Sequence, residues 1–420
     1  MDKPVVIIGN GCAAVETCRG LRESGYAGGI EVFAAGSLPA YNPMLTSYYA
    51  AGKIDYSLMF PYGDSNRIFD SYQARVRADS PVSTLSAADR YVEANGEKHA
   101  FSQCCIASGA SAVVPPFPGS RLPGVYTMRT VEDAVAVKKA MEAKPTRALV
   151  VGASMVGIKL VELFWKAGMR VTLADLADRI FPLAAHPDCS RVIEERLNDA
   201  GINQRYGAAL ERIETAADGL AAFFKGEEEP LSVDIIILAI GVRANLSFVD
   251  REEIEVRQGV LVDSRMQTSV PGIYAAGDCA QGMNILSGEQ QIIGLWANAR
   301  NQGFTAGCNM AGVQREYAGE ILHNITHFMG MDFVGIGDVG VGNESRVETA
   351  PGWYKQVFYK DGTVCGANFI DYYNESGLFK NALIKRTLRA GQADRSCVGQ
   401  PIKPLHEFLL EAVLACGDAG

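Results

Sequence analysis

A short apolar run, a small-residue hexapeptide rich in glycine and a helical pattern follow one another twice in this chain, first at its start and again near residue 147. In the first copy, Lys3 to Ile8 leads into Gly9-Asn10-Gly11-Cys12-Ala13-Ala14 and a helical segment to about Glu23. An unbroken apolar run reads as a strand buried on both faces, the habit of parallel sheets. Gly9 allows the turn, Gly11 lets the main chain touch a pyrophosphate, and small Ala14 lets the helix pack on the strand with its N-terminal amides toward the anion. Alone, such a turn is also compatible with an ordinary loop.

The second copy makes the pattern specific. Arg147 to Val151 precedes Gly152-Ala153-Ser154-Met155-Val156-Gly157 and a helix to about Ala167. Ser154 replaces the middle glycine; it is small enough for close approach, although its Cβ makes the turn less permissive. The next strand, Arg170 to Leu173, ends near Asp175, 23 residues after Gly152. That is the distance at which a carboxylate meets the ribose of a dinucleotide and repels a 2′-phosphate. NADH is therefore expected over NADPH, with Arg179 nearby as the one feature that keeps NADPH open. A solvated loop acid is the bland alternative for Asp175.

Composition narrows the class further. At 420 residues, two to four domains are expected. Hydrophobic residues at 48% and charged residues at 21% exclude disorder and coiled coil. The 39 basic and 48 acidic residues give a net charge of −9 without a basic run, so nucleic acid is not an expected ligand. No apolar stretch approaches the ~20 residues of a membrane span, and the first strand begins too early to leave room for a signal peptide. The 10 cysteines form no CxxC pairs, which suits reduced thiols and a cytoplasmic location.

Three more segments carry a resemblance. Cys105-Ile106-Ala107-Ser108-Gly109-Ala110 resembles the strand-and-glycine signature closing the first FAD segment of the two-dinucleotide-binding flavoprotein reductases, the pyridine nucleotide-disulfide oxidoreductase superfamily. Asp234 to Gly241, followed by Val242 to Asn245, resembles the close of the NAD domain. Thr268 to Ala280, containing Gly277-Asp278, resembles the second FAD motif, whose aspartate meets the ribityl chain. Ala40 to Tyr48, with Asn42 and Pro43, looks like the Y-x-x-P-x-L-S stretch of NADH:rubredoxin reductases and the flavin portion of assimilatory nitrite reductases. There it opens a helix running along the flavin.

The resemblance implies an α/β fold of two Rossmann-like dinucleotide-binding domains, with the NAD domain inserted into a discontinuous FAD domain. The expected limits are 1–118 and 245–316 for FAD, 119–244 for NAD(H), and 317–420 for a C-terminal α+β interface domain of the kind commonly used to form homodimers. Pro115 to Gly119 is the expected linker. The resemblance also sets Trp296 and Gln302 against the isoalloxazine, with an ordinary core tryptophan as the alternative. Phe333–Val341, Trp353–Tyr359 and Thr363–Ile370 are expected strands, Asp361-Gly362 a hairpin turn, and Leu405–Leu414 a helix.

Several departures decide the chemistry. Relatives that reduce disulfides or peroxides carry cysteine on the helix along the flavin, and Tyr41 to Lys53 contains none. Electrons must then leave the flavin without a sulfur relay. Cys104 and Cys105 read as buried structural thiols, and Cys12, inside the phosphate turn, as small packing near the cofactor. Ser37 stands where an acid usually holds the adenosine ribose, and Glu31 is expected to point elsewhere. His323 and His327, spaced to share a helix face, lack the further ligands of a metal shell, and no Gly-x-Ser-x-Gly elbow or HExxH is present. The expected function is FAD-dependent oxidation of NADH, with electrons passed to an iron–sulfur or rubredoxin-like protein or a larger redox complex. An NADH oxidase reducing oxygen or a small organic substrate, and an NADH-sensing scaffold, are the alternatives.

Overall fold

The computed structural model describes residues 3–372 and 374–385. The first glycine unit organises a five-stranded parallel sheet in the order Ile273–Ala275, Gln103–Ile106, Val5–Ile8, Ile30–Phe33 and Ala74–Arg77. Val5–Ile8 is buried at every position because it lies between two partners and under helices, which is why it has no polar alternation. A strand from residues 273–275 thus joins a sheet begun at residue 5, and one apolar core runs from Val5 through Cys104 and Cys105 to Ile273, Ala299 and Ala306.

The second unit repeats the architecture. Asn203–Arg205, Arg170–Ala174, Arg147–Val151, Ile235–Leu238 and Val125–Thr127 form another parallel sheet, with Val150 opposite both Leu173 and Ile237. An antiparallel pair, Ala110–Ala112 with Val242–Ala244, carries the chain out and back between the two sheets. The proline-rich segment does not span open space. Ile213 donates its amide to the Pro118 carbonyl at 2.9 Å, and a Cβ on Gly119 would lie 1.9 Å from the Ile213 carbonyl oxygen.

The C-terminal part is a five-stranded antiparallel sheet in the order His323–Phe328, Met331–Gly337, Thr363–Ile370, Trp353–Lys360 and Glu344–Ala350. Asp361 and Gly362 both have positive φ, 51° and 74°, the requirement of the two-residue turn that their sequence signals. The strand expected to reach Val341 stops at Gly337, where φ is +71° and a Cβ would meet the Cys365 carbonyl oxygen at 2.4 Å. His323 and His327 lie on a strand, not a helix: His327 pairs with Asp332 at 2.7 Å and His323 meets the Lys380 ammonium at 3.3 Å. The expected helix Leu405–Leu414 lies outside the described residues.

Phe328 and Phe333 pack on Phe181, with ring centroids 5.8 and 5.0 Å away, so this sheet shares its core with the second Rossmann unit. Beside that contact, Glu162 is 1% exposed and bridges Lys53 and Lys166, each at 2.8 Å. Burial opposes its ionisation, but the two ammonium groups win and lower its pKa from 4.5 to about 2. A carboxylate more acidic folded than unfolded stabilises above its unfolded pKa, and loses that contribution as pH falls toward the folded value. Glu162→Gln is therefore expected to cost roughly 3 kcal/mol near neutrality. Denaturant melts should show the gap between variant and native protein closing from pH 4.5 to about 2; a gap independent of pH contradicts the assignment.

Candidate functional site

Both glycine turns are built alike. Gly9 donates its amide to the Phe33 carbonyl at 2.8 Å, and Gly152 donates to the Ala174 carbonyl at 2.7 Å, so each turn leaves its strand across the neighbouring one. Their φ values are +105° and +117°. A Cβ on Gly9 would sit 2.2 Å from the Ala107 carbonyl oxygen, and one on Gly152 would sit 2.3 Å from that of Ala239. These two glycines are required by the protein itself.

Gly11 is not. Its φ of −74° suits any residue, and a Cβ there would have nothing within 4 Å. The missing side chain keeps open the space in front of the Cys12–Glu23 amides, a cradle of the shape a diphosphate needs. Cys12, Ala13 and Ala14 form the first turn of that helix and are buried. Gly277 follows the strand Ile273–Ala275 at φ +84°, close enough that its Cβ would be 3.2 Å from that of Ala13. Its amide donates to Gln302 Oε1 at 2.8 Å. Gln302 is thus spent locking this turn and, 1% exposed, does not wall an open site as expected.

Two helices make this convergence possible. Cys12–Glu23 and Trp296–Met310 cross so closely that Cβ atoms on Gly20, Gly303 or Gly307 would lie 2.2–2.4 Å from backbone oxygens of the partner. The crossing sets Trp296 over Tyr62 at 6.0 Å and brings the Arg300 guanidinium to Glu16, 2.8 Å away.

Other expected residues gather less evenly. Ala107 abuts Gly9, while Ser108 donates its hydroxyl to the Asn245 carbonyl at 2.7 Å and Gly109 takes φ +65°. Asn42 is buried and caps the turn beginning at Pro43, accepting from the Met44 amide at 3.0 Å. Ser37 is exposed and makes no side-chain hydrogen bond among the described residues, although the Asn10 amide group reaches the adjacent Leu38 carbonyl at 2.7 Å. Glu31 is paired with Arg77 at 2.8 Å, away from the turn.

In the second unit a cavity of about 600 Å³ is bordered by Gly152, Ser154, Met155, Asp175 and Gly241, with Phe117 of the proline segment in its wall. Ser154 is no compromise for the absent glycine. Its φ of −101° is extended, its hydroxyl accepts from the Gly157 amide at 3.1 Å as a helix cap and donates to the Ala239 carbonyl at 2.9 Å. Gly157 is needed for packing, because a Cβ would stand 1.9 Å from the Gly152 oxygen. Asp175 accepts from the Ala153 amide at 2.6 Å and the Ala177 amide at 2.7 Å, bracing the phosphate turn while bordering the cavity. Among the described residues no Lys or Arg lines this cavity. Arg179 is held by Asp178 at 2.7 Å and by the Pro182 carbonyl at 3.2 Å.

The two units meet at a smaller cavity of about 130 Å³, where Pro43 and Ser47 of the first face Met155 and Val156 of the second. Two side chains that sequence reasoning passed over lie where the units join, Arg129 as a link to Asp278 and Lys159 at the cavity. Arg129 reaches Asp278 at 2.5 Å and the Ala110 carbonyl at 3.2 Å; its only local signal is the Thr130-x-x-Asp133 capping box that fixes the backbone beside it. Lys159 lines the smaller cavity.

The thiols are quiet. Of the eight described cysteines, seven are buried and none is in a disulfide. Burial raises the pKa of Cys105 to about 12, and burial with the charges of Asp278 and Glu16 raises that of Cys12.

The sequence profile of the pyridine nucleotide-disulphide oxidoreductase family matches residues 3–303. The chain is 28% identical over 390 residues to the NADH-dependent phenylglyoxylate dehydrogenase subunit epsilon of Aromatoleum evansii, covering 91% of each. It is 25% identical over 445 residues to the NADH oxidase of Methanocaldococcus jannaschii, covering 99% of this chain and 98% of that one. With the rubredoxin-NAD(+) reductase of Pseudomonas putida it shares 27% identity over 300 residues, 71% of this chain and 77% of the relative. The chain belongs to the pyridine nucleotide-disulphide oxidoreductase family and is an FAD- and pyridine-nucleotide-dependent oxidoreductase.

Proposed function

We propose that this protein takes hydride from NADH onto FAD and hands the electrons directly to an external acceptor, a carrier protein or the remainder of a redox complex. The observation that carries the reading is one small cavity in which the Pro43 to Tyr48 segment of the first unit faces Met155 and Val156 of the second unit's phosphate-type turn, with no thiol among its described lining residues. Gly9, Gly11, Cys12, Ala13, Ala14, Ala107, Ser108, Gly109, Gly277, Asp278 and Trp296 surround the FAD side, with Ser37 at its adenosine end and Asn42 and Pro43 at its ring end. Gly152, Ser154, Met155, Val156, Gly157, Asp175 and Gly241 surround the NADH side. When bound, the flavin supplies two-electron uptake and one-electron release; the chain supplies orientation and charge. Arg129 holds Asp278 in place, and the Gln302 contact holds Gly277 in its turn.

NADH is favoured over NADPH because Asp175 borders the cavity and no cation among the described residues lines it to receive a 2′-phosphate. The external acceptor follows from the missing relay, and relatives that act on rubredoxin or form a dehydrogenase subunit support it. A second reading, direct reduction of oxygen, is favoured by the archaeal NADH oxidase that matches along nearly its whole length. Turnover of purified protein with NADH should rise by at least an order of magnitude when rubredoxin or a ferredoxin is added under air. Oxygen consumption that already accounts for full NADH turnover, with no gain from a carrier, establishes the oxidase reading.

Two substitutions probe the binding sites. Gly11→Ala should leave far-ultraviolet circular dichroism and the melting of flavin-free protein unchanged yet weaken flavin retention roughly tenfold, about 1.4 kcal/mol. Equal flavin retention would remove the reason given for that glycine. Asp175→Ala should weaken NADH binding and shrink the NADH-to-NADPH affinity ratio, since a ribose acceptor and a repulsive charge disappear together. Fluorescence titration with both nucleotides decides this, and an unchanged ratio counts against Asp175.

A further inference from the structure

The cavity shared by the two units has an unusual charge. Among its lining residues Lys159 is the one cation, and none is an acid. The Lys159 ammonium donates to the Tyr48 hydroxyl at 3.2 Å and to the His327 carbonyl, and lies 4.9 Å from the centre of the Tyr48 ring. The acids nearby are committed elsewhere. Glu162 is held by Lys53 and Lys166, and Asp332 by His327. Among the described residues no carboxylate forms an ion pair with Lys159. Burial and the charge of Lys53 pull its pKa down to about 8, so holding this ammonium in place costs the fold stability.

A second side chain points the same way. Thr326, in the cavity wall on the strand His323–Phe328, is 3% exposed, and its Oγ1 has no hydrogen-bond partner among the described residues. An unpaired buried hydroxyl is costly unless something outside the chain completes it. A lone cation and an open hydrogen-bonding group thus border the space between the Pro43 segment and the Met155 helix.

We propose that Lys159 is an electrostatic residue of the redox step, stabilising the negative charge that arrives on the flavin when it is reduced. The inference rests on the reading above, in which the two coenzyme rings meet at this cavity. In hydride transfer the nicotinamide C4–H bond breaks and a bond to flavin N5 forms. Two electrons and one proton move together, so NADH is oxidised, the flavin is reduced, and one unit of negative charge crosses from one ring to the other. A fixed ammonium in a cavity lined largely by apolar side chains favours that crossing and costs little reorganisation when it occurs.

The midpoint potential of the bound flavin tests this, measured by anaerobic dye equilibration with dithionite as reductant. Lys159→Met should lower the equilibrium constant for two-electron reduction at least tenfold, which is about 30 mV toward more negative potential. Lys159→Arg, which keeps the charge, should stay near the native value. So should Lys166→Met, which removes a more exposed cation from the same helix. Lys159→Gln gives the same comparison where the methionine variant folds poorly. Potentials of the Met and Gln variants equal to or above the native value overturn the proposal. Because dithionite replaces NADH, failure of NADH to reduce the native protein would count against the functional reading while leaving the Lys159 measurement intact.

Discussion

Close approach of one backbone to another, allowed where a Cβ is missing, is the constraint on which the structure depends. At Gly9 and Gly152 the turn touches the carbonyl just past the end of the adjacent strand, and at Gly20, Gly303 and Gly307 two helices touch. Each contact would become a clash with alanine. Together they bring segments from residues 9, 107 and 277 to one place, and segments from residues 152, 175 and 239 to another. The open space at Gly11 is a consequence, since the helix amides can face outward only because the turn beneath them is so tight.

Charge is placed on this frame with equal economy. Asp278 is clasped by Arg129, which enters beside the other Rossmann sheet, so the first site is braced from the second. Asp175 does two jobs, tying the Gly152 turn and leaving lone pairs at the cavity edge. The described thiols of the first core are buried on strands, on a helix or, for Cys279, in a turn, where desolvation favours the protonated sulfur. The proposed sulfur-free route for electrons therefore draws on this core as well as on the segment Tyr41 to Lys53.

Local patterns made much of the fold legible. Val5–Ile8 and Arg147–Val151 are apolar without alternation because both sheet faces are covered, and the Asp361-Gly362 turn declares itself because few other dipeptides tolerate two positive φ angles. What stayed hidden depends on partners distant in the chain. Arg129 lies 149 positions from Asp278, and nothing in either local sequence announces the pairing. Gln302 read as a candidate cofactor wall because its use by the Gly277 amide exists only after the helices cross. His323 and His327 have a spacing that fits a helix or one face of a strand, and flanking residues rather than period decide between them. Ser154 read as a lesser glycine because capping depends on a backbone angle that composition does not reveal.

Electron counting tests the central claim most directly. In anaerobic titration of the flavin-loaded protein with NADH, bleaching should be complete at one NADH per flavin, without a long-wavelength thiolate band. Consumption of two NADH per flavin, or growth of such a band on the way, would place a second redox group between the coenzymes and contradict the account.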